Sequence, residues 1–283
     1  MTVSKVRSGA VCCQDATHLK SCHAATVYPI LLGSQTITFP GGASVSFLNN
    51  VGGNPNAYHY GGDKADLIIT FNPSTGGMHG HAMMSNGESY ILEYCGSQGH
   101  VWKEIDVENL GENKAVDFQQ DINNIRGAHD EFFRQGEGDN ATMVTYSVKF
   151  YYTPEFAAAT PDINGFIDQV IAETNQGYMN SKVPLKVVKH CSELATINDQ
   201  NSSLTLINNF KNMKANSAEI RGSADAAAIL VKKFDNCGRA YFNTIGTGIT
   251  LSATMKECAV GYYSFGHEVG HNIGLEHDPC IFN

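Results

Sequence analysis

The chain has 283 residues, of which 42% are hydrophobic. It is therefore long enough for one large domain or two ordinary ones with real cores. Its formal net charge is −9 and it contains no long basic cluster, which argues against nucleic acid or an anionic membrane surface as its main partner. No apolar run is long enough to span a bilayer, and the first eight residues lack the apolar core of a secretory signal peptide.

Residues 1–125 are predicted to form a β-rich region. Apolar and polar residues alternate at 36–39, 43–48 and 89–94, as in half-buried strands. Paired glycines, which are typical of turns, stand at 41–42, 52–53, 61–62 and 76–77. His79 and His81 would share one face of a strand; we expect them to be solvated and assign them no metal.

A polar segment separates this region from the rest of the chain. Residues 126–141 are charged and rich in glycine near their end, which predicts a linker in which proteolysis would concentrate. Arg126 and Arg134 are candidate processing points, although neither belongs to a dibasic site. A linker that is never cut is the alternative.

Residues 142–283 are predicted to form a second region in which strands and helices alternate. Strand patterns occupy 142–152, 183–189 and 226–231, the last of them apolar throughout and therefore buried. Helical spacing of apolar residues follows a predicted N-cap at Asp162 and recurs at 204–213. This order predicts an α+β region with a mixed sheet covered by helices.

Eight cysteines occur without a C-x-x-C pair, so disulfides are more plausible than a structural zinc ribbon. Their pairing cannot be derived from the sequence. Two acceptor motifs for N-glycosylation begin at Asn140 and Asn201 and have meaning only in an exported protein.

The segment near the C-terminus carries the chemistry. His267 and His271 are four residues apart, and because four helical residues turn through about 400°, both imidazoles project from one helix face. Glu268 is offset beside them, as suits a general base acting on a metal-activated water. Gly274 is predicted to end the helix in a left-handed conformation and to swing His277 into place as a third ligand. Three imidazoles with one open position predict a catalytic Zn²⁺ site.

The complete pattern H-E-x-x-H-x-x-G-x-x-H resembles the zinc signature of metzincin metalloproteases. Asp278 after the third histidine makes it similar to the reprolysin or adamalysin branch, the M12B family that includes the ADAM proteases. The resemblance implies a zinc-dependent metalloendopeptidase that hydrolyses peptide bonds of a peptide or protein substrate. Residues 76–96 resemble more loosely the prodomains of that branch, which implies a secreted zymogen: a β-rich prodomain, then a metzincin-like catalytic domain with a zinc-binding helix.

The same resemblance assigns a role to the strand predicted at 238–242. In related proteases the corresponding strand is the antiparallel edge strand beside the zinc, so Gly238, Arg239 and Ala240 are expected to bind an extended substrate. Cys237 and Cys258 bracket this strand, and a disulfide between them is plausible.

Cys95 leaves two possibilities open. A thiolate from a prodomain can hold such an enzyme latent by occupying the open position on the zinc. The alternative for Cys95 is a disulfide or a structural thiol.

One departure from the family is large. Metzincins have a methionine turn downstream of the third histidine, whereas this chain ends at Asn283 and Met255 lies upstream. We therefore expect the catalytic domain at 142–283 to be C-terminally incomplete, either because the sequence is a fragment of a longer protein or because it is a truncated product. The alternative hypothesis for the function is a truncated, non-catalytic metzincin-like protein that binds zinc or a partner. The sequence does not determine the substrate or the oligomeric state.

Overall fold

The structure, a computed structural model, describes residues 2–5, 19–26, 32–33, 36–39, 43–105 and 142–277. The predicted linker, with both candidate processing arginines and the Asn140 motif, lies outside the described residues, as do Asp278 and Cys280.

The chain divides into two compact units. The first contains Met1–Asn113, Ala158–Gln176 and Val260–Tyr262, and the second contains Lys114–Ala157, Gly177–Ala259 and Tyr263–Asn283. The domain borders predicted at 125 and 141 lie outside the described residues and stay predictions.

In the first unit, nine described strands form one antiparallel sheet. They are β1 (Thr2–Lys5), β2 (Leu19–Thr26), β3 (Ile37–Thr38), β4 (Ser44–Asn50), β5 (Ala57–Gly62), β6 (Ala65–Asn72), β7 (Gly77–Met84), β8 (Ser89–Tyr94) and β9 (His100–Ile105). Their order across the sheet is β1-β2-β9-β8-β7-β6-β5-β4-β3. The predicted β-rich character of this region is confirmed.

The two faces of this sheet differ, as alternation along its strands requires. One face carries an apolar cluster that includes Tyr60, Leu67, Ile69 and Trp102. On strand β6 the neighbouring positions point the other way: Ile68 packs with Ala172. This second face is shared with buried polar side chains, described below.

In the second unit, five described strands form a mixed sheet, β10 (Val144–Tyr152), β11 (Leu185–Leu194), β12 (Ala226–Val231), β13 (Gly238–Ala240) and β14 (Leu251–Met255). The order is β11-β10-β12-β14-β13. The first four in this order are parallel, and β13 is an antiparallel edge strand paired only with β14 among the described residues. Every residue of β12 is buried, as its apolar sequence predicts.

The described helices are α1 (Pro154–Ala159), α2 (Ile163–Asn180), α3 (Ser203–Lys211), α4 (Ser217–Arg221), α5 (Lys256–Ala259) and α6 (Ser264–Asn272). Helix α2 begins where predicted, and its N-cap Asp162 accepts a hydrogen bond from the Gly165 N–H at 3.1 Å. Helix α3 packs Leu206, Ile207 and Phe210 into the core of the second unit. The predicted α+β class is confirmed. No helix within the described ranges is long and apolar enough to cross a membrane.

Candidate metal centre and active site

Helix α6 carries the predicted ligands and is anchored along its first turn. Phe265 is fully buried and its ring lies 5.2 Å from that of Phe150 on strand β10. The Tyr178 hydroxyl donates a hydrogen bond of 2.7 Å to the Gly266 carbonyl oxygen, which ties the first turn of α6 to the end of α2. Tyr263, which precedes the helix, has a left-handed backbone with φ of 55°. This conformation is uncommon for a tyrosine and is typical of sites that a surrounding structure holds in place.

The C-terminal end of α6 has the predicted glycine stop. Gly274 has φ of +95°. The Leu275 N–H donates to the Gly270 carbonyl at 2.9 Å, and the Gly274 N–H donates to the His271 carbonyl at 3.0 Å. These two bonds form a Schellman motif, which satisfies helix carbonyls while the chain reverses. The reversal brings His277 back toward the helix.

The three predicted ligands converge. The Nε2 atom of His267 lies 2.9 Å from that of His271 and 2.9 Å from that of His277, and the third side of the triangle, between His271 and His277, is 3.0 Å. No other described group of His, Cys, Asp and Glu side chains has this metal-binding arrangement.

Hydrogen bonding fixes the tautomer of one ligand. His271 Nδ1 lies 2.9 Å from the Leu275 carbonyl oxygen. Because a carbonyl oxygen only accepts, Nδ1 must carry the proton, so in the neutral ring Nε2 presents its lone pair to the other two histidines. A backbone partner of this kind is typical of metal-ligating histidines.

The donor set fits a zinc ion. Tetrahedral Zn²⁺ with bonds of about 2.0–2.1 Å separates its nitrogen ligands by about 3.3 Å, within a few tenths of an ångström of the observed triangle. Imidazole lone pairs pointed at one another repel unless a cation lies between them. A Zn²⁺ ion at the centre of the triangle would accept all three lone pairs, which gives the convergence a physical reason.

Glu268 lies on the same helix with 3% of its surface exposed. Its carboxyl end lies against the backbone of strand β13: a Cβ atom built on Gly238 would meet Glu268 Oε1 at 2.3 Å. The carboxylate is thus buried beside the edge strand, next in sequence to the first ligand.

The end of α6 is tied to the loop after β13. The Asn243 N–H donates to the His271 carbonyl at 2.7 Å, and the Thr244 N–H donates to the Asn272 carbonyl at 2.9 Å. The Asn272 amide, fully buried, donates to the carbonyls of Tyr241 at 2.8 Å and Leu251 at 3.1 Å. Asn272 was not predicted from the sequence; the available signal was an amide directly after the second predicted ligand, one helical turn from Glu268 and Val269.

Strand β13 has the predicted position at the sheet edge. Gly238, Arg239 and Ala240 pair with Thr254, Ala253 and Ser252. The Arg239 side chain is buried, and its Nε donates to Ser203 Oγ at 2.8 Å, so what this strand offers an extended peptide is backbone. Substrate binding by these residues stays a prediction. The predicted disulfide between Cys237 and Cys258 is present.

Cys95 is buried and disulfide-bonded. In this form its sulfur is not a thiolate that can coordinate a metal. The structure therefore supports the disulfide alternative over the latency switch.

His79 and His81 are buried, not solvated as expected. His79 Nε2 lies 3.5 Å from Asp162 Oδ2, and His81 Nδ1 lies 3.8 Å from Glu173 Oε2. Asp162 is the N-cap of α2 and Glu173 lies within that helix, both in the first unit. A pair of histidines on one strand face signals burial against acidic partners as readily as exposure, and the sequence does not distinguish the two.

Comparison with known proteins agrees with the site. Residues 166–278 match the family described as "Metallo-peptidase family M12B Reprolysin-like". The chain is 25% identical over 224 residues to a peptidyl-Asp metalloendopeptidase of Stenotrophomonas maltophilia strain R551-3, an alignment covering 77% of this chain and 52% of the relative. It is 24% identical over 204 residues to the protein of the same name from strain K279a, covering 70% and 48%.

Among solved structures, metalloproteinase-II from Bacteroides fragilis aligns with a TM-score of 0.49 and 14% identity over 83% of this chain and 77% of that one. The chain spans about half the length of the two Stenotrophomonas relatives. The matching family and the two relatives support a metallopeptidase.

Proposed function

We propose that the chain is a zinc-dependent metalloendopeptidase of the metzincin, reprolysin-like type. The observation that carries the proposal is the convergence of three imidazole Nε2 atoms to within 3.0 Å of one another. The buried carboxylate of Glu268 on the same helix adds the base that hydrolysis requires. The family matched by residues 166–278 points to the same chemistry.

Each residue has a separate task in this proposal. His267, His271 and His277 hold the zinc ion, and the hydrogen bond from His271 Nδ1 to Leu275 orients one of these rings. When bound, zinc supplies Lewis-acid activation of water and of the scissile carbonyl. Glu268 accepts a proton from the attacking water and delivers it to the leaving amine. Its burial beside β13 keeps this proton transfer away from bulk water.

The edge strand provides the surface for the peptide. An extended substrate can add to a sheet edge through main-chain hydrogen bonds. We assign this role to the backbone of Gly238, Arg239 and Ala240, because β13 has a partner on one side only among the described residues.

We further propose that the protein is exported as a zymogen, with a prodomain in 1–125, a linker at 126–141 and a catalytic domain at 142–283. The disulfide between Cys237 and Cys258, together with disulfide-bonded Cys22 and Cys95, supports an oxidising compartment.

The test compares the protein with its Glu268→Gln variant. Both should bind one zinc ion per chain, because the three ligands are unchanged. Only the parent should cleave a quenched protein substrate, before or after limited proteolysis of the 126–141 segment. Cleavage that a chelator abolishes and zinc restores would identify the bound metal as the active one.

The relatives are named for peptidyl-Asp cleavage, and a peptide pair differing by Asp or Ala at one position measures whether this chain shares that preference.

Two outcomes would contradict the proposal. Equal cleavage by Glu268→Gln would remove Glu268 from the reaction. Stoichiometric zinc without any cleavage, even after proteolysis, would favour the alternative of a non-catalytic zinc-binding protein.

A further inference from the structure

Gly238, the first residue of strand β13, lies against the proposed general base. A Cβ atom at this position would meet Glu268 Oε1 at 2.3 Å, Cγ at 2.6 Å and Cδ at 2.7 Å. Real Cβ atoms essentially never approach other atoms to less than 3.0 Å. The end of the Glu268 side chain therefore occupies the volume that any side chain at position 238 would need.

The backbone conformation does not explain a glycine here. The backbone φ of Gly238 is not positive, so an L-residue could adopt its conformation. In a strand, glycine is less favourable than alanine because of its greater conformational freedom in the unfolded chain. Without the contact to Glu268, alanine at this position would be expected to stabilise the strand.

The strand cannot easily move aside. Its backbone is paired with β14, Gly238 opposite Thr254. The Met255 N–H donates to the Cys237 carbonyl at 2.9 Å, and Cys237 is covalently joined to Cys258. A clash at position 238 would therefore be relieved by the mobile partner, which is the end of the Glu268 side chain.

Helix α6 is anchored on both sides of Glu268. Before it, the Tyr178 hydroxyl donates to the Gly266 carbonyl; after it, the Asn272 amide donates to the backbone carbonyls of Tyr241 and Leu251. The contact is thus between a fixed strand and a fixed helix, with one flexible side chain between them.

We propose that Gly238 is a positioning residue: its missing side chain forms the recess that holds the Glu268 carboxylate at the metal centre. This inference rests on the proposed function, because it concerns the placement of the proposed base. In this role Gly238 acts through Glu268; the contact of its backbone with the peptide, proposed above, is a separate role that a Cβ atom leaves in place.

The first experiment tests the recess without metal or substrate. It measures the thermal unfolding midpoint of four metal-free proteins: the parent, Gly238→Ala, Glu268→Ala and the double variant. Gly238→Ala should lower the midpoint when Glu268 is present and should leave it unchanged or raise it when residue 268 is alanine. Gly248→Ala is the matched control, because an added Cβ there meets nothing within 4 Å. An equal shift from Gly238→Ala in both backgrounds would overturn the inference.

The second experiment tests the consequence for turnover in the zinc-loaded protein. Gly238→Ala should lower kcat by roughly 10- to 100-fold, the size expected when a reacting group is displaced by about 1 Å. KM and zinc content should stay within twofold of the parent, since neither the ligands nor the backbone edge has changed.

These results separate the two proposals. Loss of zinc, or a rise of KM with kcat unchanged, would assign Gly238 a structural or substrate-contact role and overturn the positioning role. A parent protein that cleaves nothing would contradict the proposed function, while the unfolding cycle would still decide whether the recess exists.

Discussion

Asn272 shows how one buried amide can fix the residue beside it, the proposed metal ligand His271. It follows His271 directly, is fully buried, and donates to the backbone carbonyls of Tyr241 and Leu251. Two main-chain segments that are distant in sequence are thereby joined to the last turn of α6. A side chain that bridges backbone in this way sets the position of the helix, and with it the position of the imidazole before it.

We expect Asn272→Ala to lower the free energy of unfolding by about 1–3 kcal/mol, the cost of leaving buried carbonyls without a donor. The affinity for zinc should fall as well, because the last turn of the helix is less restrained. Urea denaturation and a zinc titration measure the two effects. Asn209→Ala, at an exposed position of α3, is the control and should change neither by more than the error. Unaltered stability of Asn272→Ala would mean that the two carbonyls find water or other donors.

The residues of the site differ in how far sequence determines them. His267, Glu268, His271 and His277 follow from a short spacing, since one helix turn and one glycine stop generate their geometry. The partners of Asn272 and of Gly238 are about 20 to 30 residues away, and only the fold brings them together. No local pattern contains that information.

At the scale of the element, α6 is a short helix with a specialised stop. Its Schellman bonds depend on Gly274, whose φ of +95° lies in a region that other residues avoid. The reversal has to be tight, because His277 lies only three residues after Gly274 and must reach His267 and His271 on the helix.

Gly274→Ala should therefore be destabilising by roughly 1–2 kcal/mol, the cost of a left-handed conformation for an L-residue. If the turn opens to relieve that strain, His277 moves away from His271. The zinc affinity should therefore fall by more than the loss of unfolding free energy accounts for. Isothermal titration with zinc and thermal unfolding check both parts. Gly248→Ala, an exposed glycine without positive φ, controls for the general effect of replacing glycine. A Gly274→Ala protein with parental zinc affinity would contradict this view of the turn.

The larger strands and helices could be predicted where the apolar residues follow a single strand-like or helix-like periodicity. The alternating strands of the first sheet, the buried strand β12 and the start of α2 at Asp162 all follow from local sequence. Helix α4, only Ser217–Arg221, was not predicted, because five residues are too few to show a helical period. The polar face of α2 was also missed, since Gln169 and Glu173 among apolar residues indicate a solvated face unless their partners are known.

At the scale of the whole molecule, four buried titratable side chains of the first unit meet between strand β7 and the start and middle of helix α2: His79, His81, Asp162 and Glu173. Glu173 accepts hydrogen bonds from Gln169 at 3.0 Å and from the Gly261 N–H at 2.8 Å. Burial raises the pKa of Glu173, although these donors and His81 act in the opposite direction. Burial would also raise the pKa of Asp162, but the polar groups around it, led by His79, lower it to about 2.

His100 gives this region its clearest dependence on pH. Its Nε2 accepts a hydrogen bond of 2.9 Å from the Met78 N–H, which protonation would break. Burial first, and then the nearby His79, lower the pKa of His100 from 6.5 to about 4. Between these two values the unfolded chain binds a proton that the folded protein does not. The stability contributed by neutral His100 is therefore complete above about pH 6.5 and is lost progressively as the pH falls toward 4.

We expect the parent to lose up to roughly 3 kcal/mol more unfolding free energy than His100→Gln between pH 7 and pH 4, because the pKa of His100 falls from 6.5 to about 4 on folding. Glu173 and Asp162 titrate in both proteins, so their contributions cancel in the difference.

Trp102, the one tryptophan of the chain, lies two residues from His100 on β9 and is buried, so its fluorescence in urea titrations reports on this unit. His190→Gln, which removes an exposed imidazole of β11, is the control for replacing a histidine outside this unit. Parallel curves for the parent and His100→Gln would show that His100 is protonated in the folded protein as readily as in the unfolded chain, and that the Met78 hydrogen bond does not hold it neutral.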